Sequence, residues 1–135
     1  MNAPEGVSEF LALPNAAVMG CNRPDGYPMT VVTWYDWDGE KALINMDQRR
    51  KRVAWIRADP RVSLTAFTND WYTHVSFTGD VISIEDDPDL ADIDRLSRRY
   101  GGRPFANRNA KRVSMWIIPR AWHVWELGNR QLGKR

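Results

Sequence analysis

Cysteine is almost missing from this chain of 135 residues: Cys21 stands alone. An internal disulfide is excluded, and a lone thiol on what reads as a buried strand is a small core residue before it is a nucleophile. Histidine is nearly as scarce. His74 and His123 have no second ligand at metal spacing and no obvious nucleophile partner, so no metal site is expected. No run approaches the roughly 20 apolar residues of a membrane span. Residues 1–15 lack the charged start and long apolar run of a signal peptide. These absences favour a cytoplasmic protein without a membrane span. Charge of one sign is not in excess either: 19 Lys and Arg face 17 Asp and Glu, a net +2, which argues against a general polyanion-binding surface. No Gly-Lys-Ser/Thr follows Gly101-Gly102, so that pair is a helix stop and not a P-loop. Asp86, Asp87, Asp89, Asp92 and Asp94 suggest paired carboxylates, but at a helix start they serve capping and the dipole. With no familiar catalytic signature, an enzyme built from this chain must borrow its chemistry from a cofactor.

What is present is a single domain over residues 1–127, followed by a basic tail at 128–135. Seven tryptophans exceed what one core of this size needs, and suggest aromatic surface for a ligand or partner chain. Residues 4–12 read as a short helix with Pro4 near its start. "AAVMGCN" (16–22) reads as a buried strand, "RPDGYP" (23–28) as a turn, and "MTVVTWYDW" (29–37) as a β-branched, aromatic strand. Asp38-Gly39 marks a hairpin to a strand at 41–46. A helix over 48–58 stops at Asp59-Pro60. Strands follow at 61–68 and 71–85, with Gly79 suggesting a bulge or a bend. A second helix spans 86–100, with Asp86 or Asp87 as cap and Pro88 at its first position. Two strands, 111–119 and 121–127, bend at Pro119. Six or seven short antiparallel strands with inserted helices predict a mostly β fold, a small barrel or sandwich.

The two longer helices treat charge in opposite ways. The helix at 86–100 leads with acids and trails with arginines, as the dipole prefers. The helix at 48–58 places Arg49, Arg50, Lys51 and Arg52 at its positive pole, which costs about 0.3–1 kcal/mol per cation near a surface. A bound anion would resolve the conflict, since backbone N–H groups and arginines together bind phosphate. That reading puts a phosphate site at 48–52, bordered by Asn45 and Met46. A solvated basic face is the plain alternative. Nucleic acid is a third reading, suited by the local basic cluster and aromatics but not by the near-neutral total.

The order of "FLALPNAAVMGCNRPDGYPMTVVTWYDWDGEKALINM", "RRKRVAWIRADPRVSLTAF", "YTHVSFTGDVISIEDDPD" and "LSRRYGG" resembles the split β-barrel family of flavin and deazaflavin oxidoreductases, related to pyridoxamine 5′-phosphate oxidase. The resemblance spans about residues 8–127. It implies a six- to seven-stranded antiparallel split barrel, forming a homodimer with cofactor sites at the interface. Arg50 and Arg52, with Lys51 between them, would hold the cofactor phosphate; Arg52 stands where the family usually has lysine. Met29, Thr30, Val31, Val32, Thr33 and Trp34 would run along the isoalloxazine-type ring. Asn45, Met46 and Gln48 would border the ribityl chain, and Trp71, Tyr72 and Ser76 would approach from the partner chain. Trp34, Trp71, Trp122 and Trp125 would form a water-poor wall, and Tyr72 or His74 could donate a proton. The abundance of cations (Arg49, Arg50, Lys51, Arg52 and Arg57) favours coenzyme F-420, with its phosphodiester and oligoglutamate tail, over FMN. The lack of a longer C-terminal region disfavours a pyridoxal-type substrate. The expected activity is hydride transfer from the reduced deazaflavin to an unsaturated planar small molecule. An FMN enzyme of the same fold, or a non-catalytic carrier of a planar ligand, are the alternatives.

Overall fold

The computed structural model describes residues 3–125. In chain order the elements are α1 (Val7–Leu11), β1 (Ala16–Asn22), β2 (Pro28–Thr33), β3 (Asp36–Trp37), β4 (Ala42–Asp47), α2 (Lys51–Ala58), β5 (Arg61–Phe67), β6 (His74–Asp86), α3 (Ala91–Gly101) and β7 (Arg112–Trp125). The strands form one seven-stranded sheet in the order β2-β1-β5-β6-β7-β4-β3, antiparallel throughout. Strands β2 and β3 are consecutive in the chain yet lie at opposite edges. Only Trp34 and Tyr35 separate them, a reach of at most about 11 Å. A flat sheet of seven strands would hold its edges ~29 Å apart. The sheet must therefore curl until its edges meet. The result is a barrel split along the β2–β3 seam, which among the described residues no strand-to-strand hydrogen bonds close.

Alternation builds the core. Ala17, Met19 and Cys21 of β1, Val62, Leu64 and Ala66 of β5, and Val75 and Phe77 of β6 point inward. Strand β4 is buried on both faces from Ala42 to Met46. Ile44 and Met46 join the main core, while Leu43 packs on the other side against Leu90, Ile93 and Leu96. That second face is why α3 exists: its apolar stripe covers the outside of β4. Helix α1 adds Val7, Phe10 and Leu11 to the main core, and α2 adds Val53 and Ile56. Arg99 of α3 ties these parts together by donating to the carbonyls of Leu11, Ala12 and Leu13 at 2.8–2.9 Å.

Several expectations change at their boundaries. The strand expected over 29–37 breaks at Trp34-Tyr35, because β2 pairs with β1 and β3 with β4. The first helix is five residues long. Helix α2 begins at Lys51, not at Gln48; Gln48 N–H instead bonds to the Lys111 carbonyl at 2.9 Å and prolongs the β4–β7 pairing. The strand expected from Trp71 begins at His74. Helix α3 starts at Ala91 behind a left-handed Leu90 (φ 60°), which leaves Pro88 in the preceding turn. Asp87 still caps it, accepting the Asp92 and Ile93 N–H groups at 3.2 and 3.0 Å. The last two expected strands are one, β7, running through Pro119. Residues 126 and 127 of the expected strand, and the tail at 128–135, lie outside the described residues.

The Gly79 bulge is real. Gly79 pairs with Pro119 while Thr78 pairs with Ala121, so Arg120 is the extra residue and Pro119 sits at the bulge, where a strand tolerates proline. A Cβ on Gly79 would collide with the Ile118 carbonyl oxygen, whereas one on Gly101 would meet open space. Gly79→Ala should therefore destabilise the fold by about 1–3 kcal/mol. Gly101→Ala, at the end of α3, should be neutral or stabilising by up to ~1 kcal/mol. Urea unfolding midpoints check both; equal effects would mean that the bulge relaxes.

Candidate functional site

Where the seam meets β4, the chain leaves a cleft of about 270 Å³. One wall is the end of β2 and its exit, Val32, Thr33 and Trp34. The floor is the end of β4, Asn45, Met46 and Asp47. Ile93 and Leu96 of α3 and Phe105 close the far side, and Arg50, Arg52 and Arg112 enter from three directions. Trp34 is fixed by stacking on Tyr100 (centroids 5.6 Å, planes 8° apart) and by an edge contact to Phe105.

The charges around this cleft do not balance. Asp47 accepts the Arg49 backbone N–H at 2.9 Å, its Nε at 3.1 Å and a terminal nitrogen at 2.8 Å. Those bonds hold its carboxyl well below the usual carboxylate range. Arg49, expected among the phosphate ligands, is thus committed to Asp47. Arg50 is the N-cap of α2 in extended conformation, with no side-chain cap bond, and no acid stands in the first turn. The Arg52 Nε is buried without a partner; burial and then Arg50 pull its pKa below the usual guanidinium value. Arg112 donates from Nε to Asn45 Oδ1 at 2.7 Å, lies 4.6 Å from the Phe105 ring centroid, and is likewise lowered by burial. Among the described residues, none of these three arginines forms a salt bridge.

A wider groove of about 490 Å³ crosses the sheet's outer face past Gly20, Thr30, Ser63 and Thr78. Its two arginines are matched: Arg61 to Asp59 at 2.8 Å and Arg120 to Asp80 at 3.0 Å. Size therefore does not single out the site. Charge imbalance does, and it selects the smaller cleft. A buried, unpartnered guanidinium nitrogen facing two further unpaired arginines fits an anionic group such as a cofactor phosphate.

Of the residues singled out from sequence, Val32, Thr33, Trp34, Asn45, Met46, Arg50 and Arg52 converge here. The others do not line this cleft. Met29 and Thr30 lie farther along β2, and Val31 packs toward the core. Gln48 lines an adjoining recess with Arg49 and Lys111, and Lys51 is exposed. Trp71 and Tyr72 sit on the β5–β6 loop, 76% and 56% exposed, with Trp71 in left-handed backbone (φ 69°). Ser76 is on the outer face of β6, its hydroxyl against that of Thr65. His74 is there too, its ring stacked on His123 at 5.8 Å, which stacks on Trp125. The two histidines, far apart in sequence, are thus neighbours. Trp122 packs against Phe77 and Trp37, so it belongs to the core and not to a ligand wall. Arg112 and Phe105 were not foreseen: β4–β7 pairing sets Arg112 opposite Asp47, and nothing local in sequence signals that.

The sequence matches the pyridoxamine 5′-phosphate oxidase family over residues 3–126. The chain belongs to that family. Its open seven-stranded sheet is the family's split barrel. Among solved structures, an F420 reductase shares 31% identity with a TM-score of 0.81, over 90% of this chain and 98% of that one. A conserved hypothetical protein from Mycobacterium tuberculosis shares 26% identity with a TM-score of 0.75, over 100% of this chain and 90% of that one. General stress protein 26 from Bacillus anthracis has the same fold at 18% identity and a TM-score of 0.69, over 91% and 93% of the two chains. No curated protein matches the sequence. No helix among the described residues is long and apolar enough to cross a membrane.

A half-buried cation whose Nε is buried without a partner costs folding free energy. Replacing Arg52 by Met, which keeps the length of the stem, should raise the urea unfolding free energy by about 1 kcal/mol. The same change should abolish any thermal stabilisation by inorganic phosphate or pyrophosphate. A variant no more stable than the parent would show that the Arg52 charge is already compensated.

Proposed function

We propose that this protein is an oxidoreductase that holds a phosphorylated flavin-type cofactor in the arginine-lined cleft. The preferred cofactor is the deazaflavin coenzyme F-420, and the acceptor of its hydride is an unsaturated planar small molecule. The observation that carries this reading is the convergence of unpaired Arg50 and Arg52 beside a wall of Val32, Thr33 and Trp34. Family membership and the likeness to an F420 reductase support a flavin or deazaflavin chemistry. FMN is the alternative. Arg57, counted from sequence among the extra cations, lines a recess with Ile56 and Ile82 instead. Lys111, which forms no salt bridge among the described residues, lines the recess beyond Asp47 and adds a cation for a longer anionic tail. That favours the deazaflavin over a single terminal phosphate.

Reduced and bound, the cofactor supplies a hydride. The chain's own residues do the rest. Arg50 and Arg52 fix the anionic end by charge-assisted hydrogen bonds. Val32 and Trp34 present apolar surface that excludes water from the reacting face, and Tyr100 holds the Trp34 ring in place. Trp71, Tyr72, His74 and Ser76 do not line the cleft of their own chain, so any part they take requires a second copy. The outer face of the sheet suits one: Val18, Gly20, Ser63, Thr65, Ser76, Thr78 and His123 follow one another across β1, β5, β6 and β7, and the charges at its end, Arg61 and Arg120, are paired with Asp59 and Asp80. We therefore infer a homodimer across this face, with Tyr72 or His74 as proton donor to the substrate.

Titration with coenzyme F-420 and with FMN, followed by tryptophan fluorescence, tests the cofactor. Tighter binding of the deazaflavin is expected, and Arg50→Ala/Arg52→Ala should weaken it about 100-fold, the loss of two charge-assisted hydrogen bonds. Equal or tighter FMN binding overturns the deazaflavin assignment. Oxidation of reduced F-420 is then followed with quinones, nitroaromatics and tetrapyrroles; turnover with none of them would make the protein a carrier.

A further inference from the structure

We propose that Arg112, on β7, is a third anion-binding residue of the cleft, and that Asn45 is a positioning residue acting through it. The inference rests on the cleft being a phosphate site. Asn45 was expected to touch a ligand directly, but its side chain is spent inside the protein. Its Nδ2 donates to Asp87 Oδ2 at 3.2 Å and to Ser114 Oγ at 3.0 Å. Its Oδ1 accepts Arg112 Nε at 2.7 Å. Ser114 in turn donates to Asp92 Oδ2 at 2.6 Å, and Asp87 is held by the first N–H groups of α3. An amide has two donors and one acceptor oxygen, so little of this one is left for a ligand.

Arg112 is in the opposite state. Its Nε is fixed by Asn45 and its guanidinium plane lies against Phe105. Its two terminal nitrogens make no hydrogen bond or ion pair to the described residues, and it lines the same cleft as Arg50 and Arg52. Asp47, its register partner on β4, is occupied by Arg49. A guanidinium anchored at one nitrogen, with its terminal fork free, is pre-organised for an oxyanion. It loses little side-chain freedom when the anion arrives. The chain from α3 through Asp87, Asn45 and Arg112 thus aims a cation at the point where Arg50 and Arg52 already converge.

The test compares dissociation constants for coenzyme F-420 and for its phosphate-free deazaflavin core. Arg112→Ala should weaken F-420 binding 10-fold or more and leave the core within about twofold of the parent. Arg112→Lys should fall between Ala and parent. Asn45→Ala should show the same phosphate-selective loss, smaller in size, in protein whose circular dichroism is that of the parent. Should Arg112→Ala not fold, Arg112→Gln gives the same comparison with a polar side chain left against Asn45. Unchanged F-420 binding, or equal losses for both ligands, overturns the role of Arg112. Equal losses for both ligands in Asn45→Ala alone would make Asn45 a direct contact. If Arg50→Ala/Arg52→Ala also fails to separate the two ligands, the phosphate reading of the cleft has fallen; if that variant separates them and Arg112→Ala does not, only this inference has.

Discussion

Two residues carry the chain between opposite edges of a seven-stranded sheet, and most of the architecture follows from that reach. Trp34 and Tyr35 must hold the seam where backbone hydrogen bonds do not. Tyr35 is fully buried. Its hydroxyl donates to the Leu13 carbonyl at 3.0 Å, and the Tyr100 hydroxyl donates to the Asn15 carbonyl at 2.8 Å. Burial pushes the Tyr35 hydroxyl pKa far up, so the side chain stays neutral and keeps its proton to donate. The guanidinium of Arg99 lies 5.0 Å from the Tyr35 ring and grips the end of α1. An interlocked set of α1, α3 and the seam thus replaces a strand-to-strand ladder. Because Trp34 leaves this seam pointing the other way, the same two residues that close the fold also wall the cleft.

The cleft keeps a charge conflict. Several arginines elsewhere are matched, as in Arg95 and Arg99 with Asp36 or Arg108 with Asp94. These pairs show that carboxylates are available when the fold needs them. Around Arg50, Arg52 and Arg112 the carboxylate that lines the cleft, Asp47, is turned to Arg49, and Asp87 stands behind Asn45, bonded to its amide. Two of those three arginines are also partly desolvated, which raises the cost of their mutual repulsion. A fold carries unfavourable terms of this kind where a ligand removes them.

How much of this could be read from sequence follows the range of the interactions involved. Strand β1 was legible to the residue from its short apolar run, and β5 to within one residue from period-two alternation, because both signals are local. The irregularity at Gly79 and the Gly102 helix stop were legible because glycine in a strand marks close backbone approach and glycine after a helix takes the left-handed turn. The Asp87 cap was legible from its place ahead of the helix. The break at Trp34-Tyr35 was not, since "MTVVTWYDW" has uninterrupted strand character and only the change of pairing partner divides it. The start of α2 slipped from Gln48 to Lys51 because pairing with Lys111 overrode local helical preference. Arg50 and Arg52 were found through a local electrostatic anomaly. Arg112 had no anomaly of its own, for its meaning comes from a strand register set some sixty residues earlier. Trp122 was misassigned for the related reason that an aromatic on a strand looks alike whether it faces a core or a ligand.

The same range argument bears on the residues that do not reach the cleft. Trp71 is exposed and held in left-handed backbone, a conformation that costs a bulky residue free energy, beside an exposed Tyr72 and the stacked His74–His123 pair. A monomer gains nothing from presenting two large aromatics on a strained loop at the rim of an open sheet face. A second copy seated on that face would bury them, and would give each cleft a wall that its own chain does not supply. The proposed dimer and the proposed cofactor site are then one requirement seen from two sides: the cleft has its cations from one chain and lacks an aromatic cover, while the loop has aromatics and lacks a cleft.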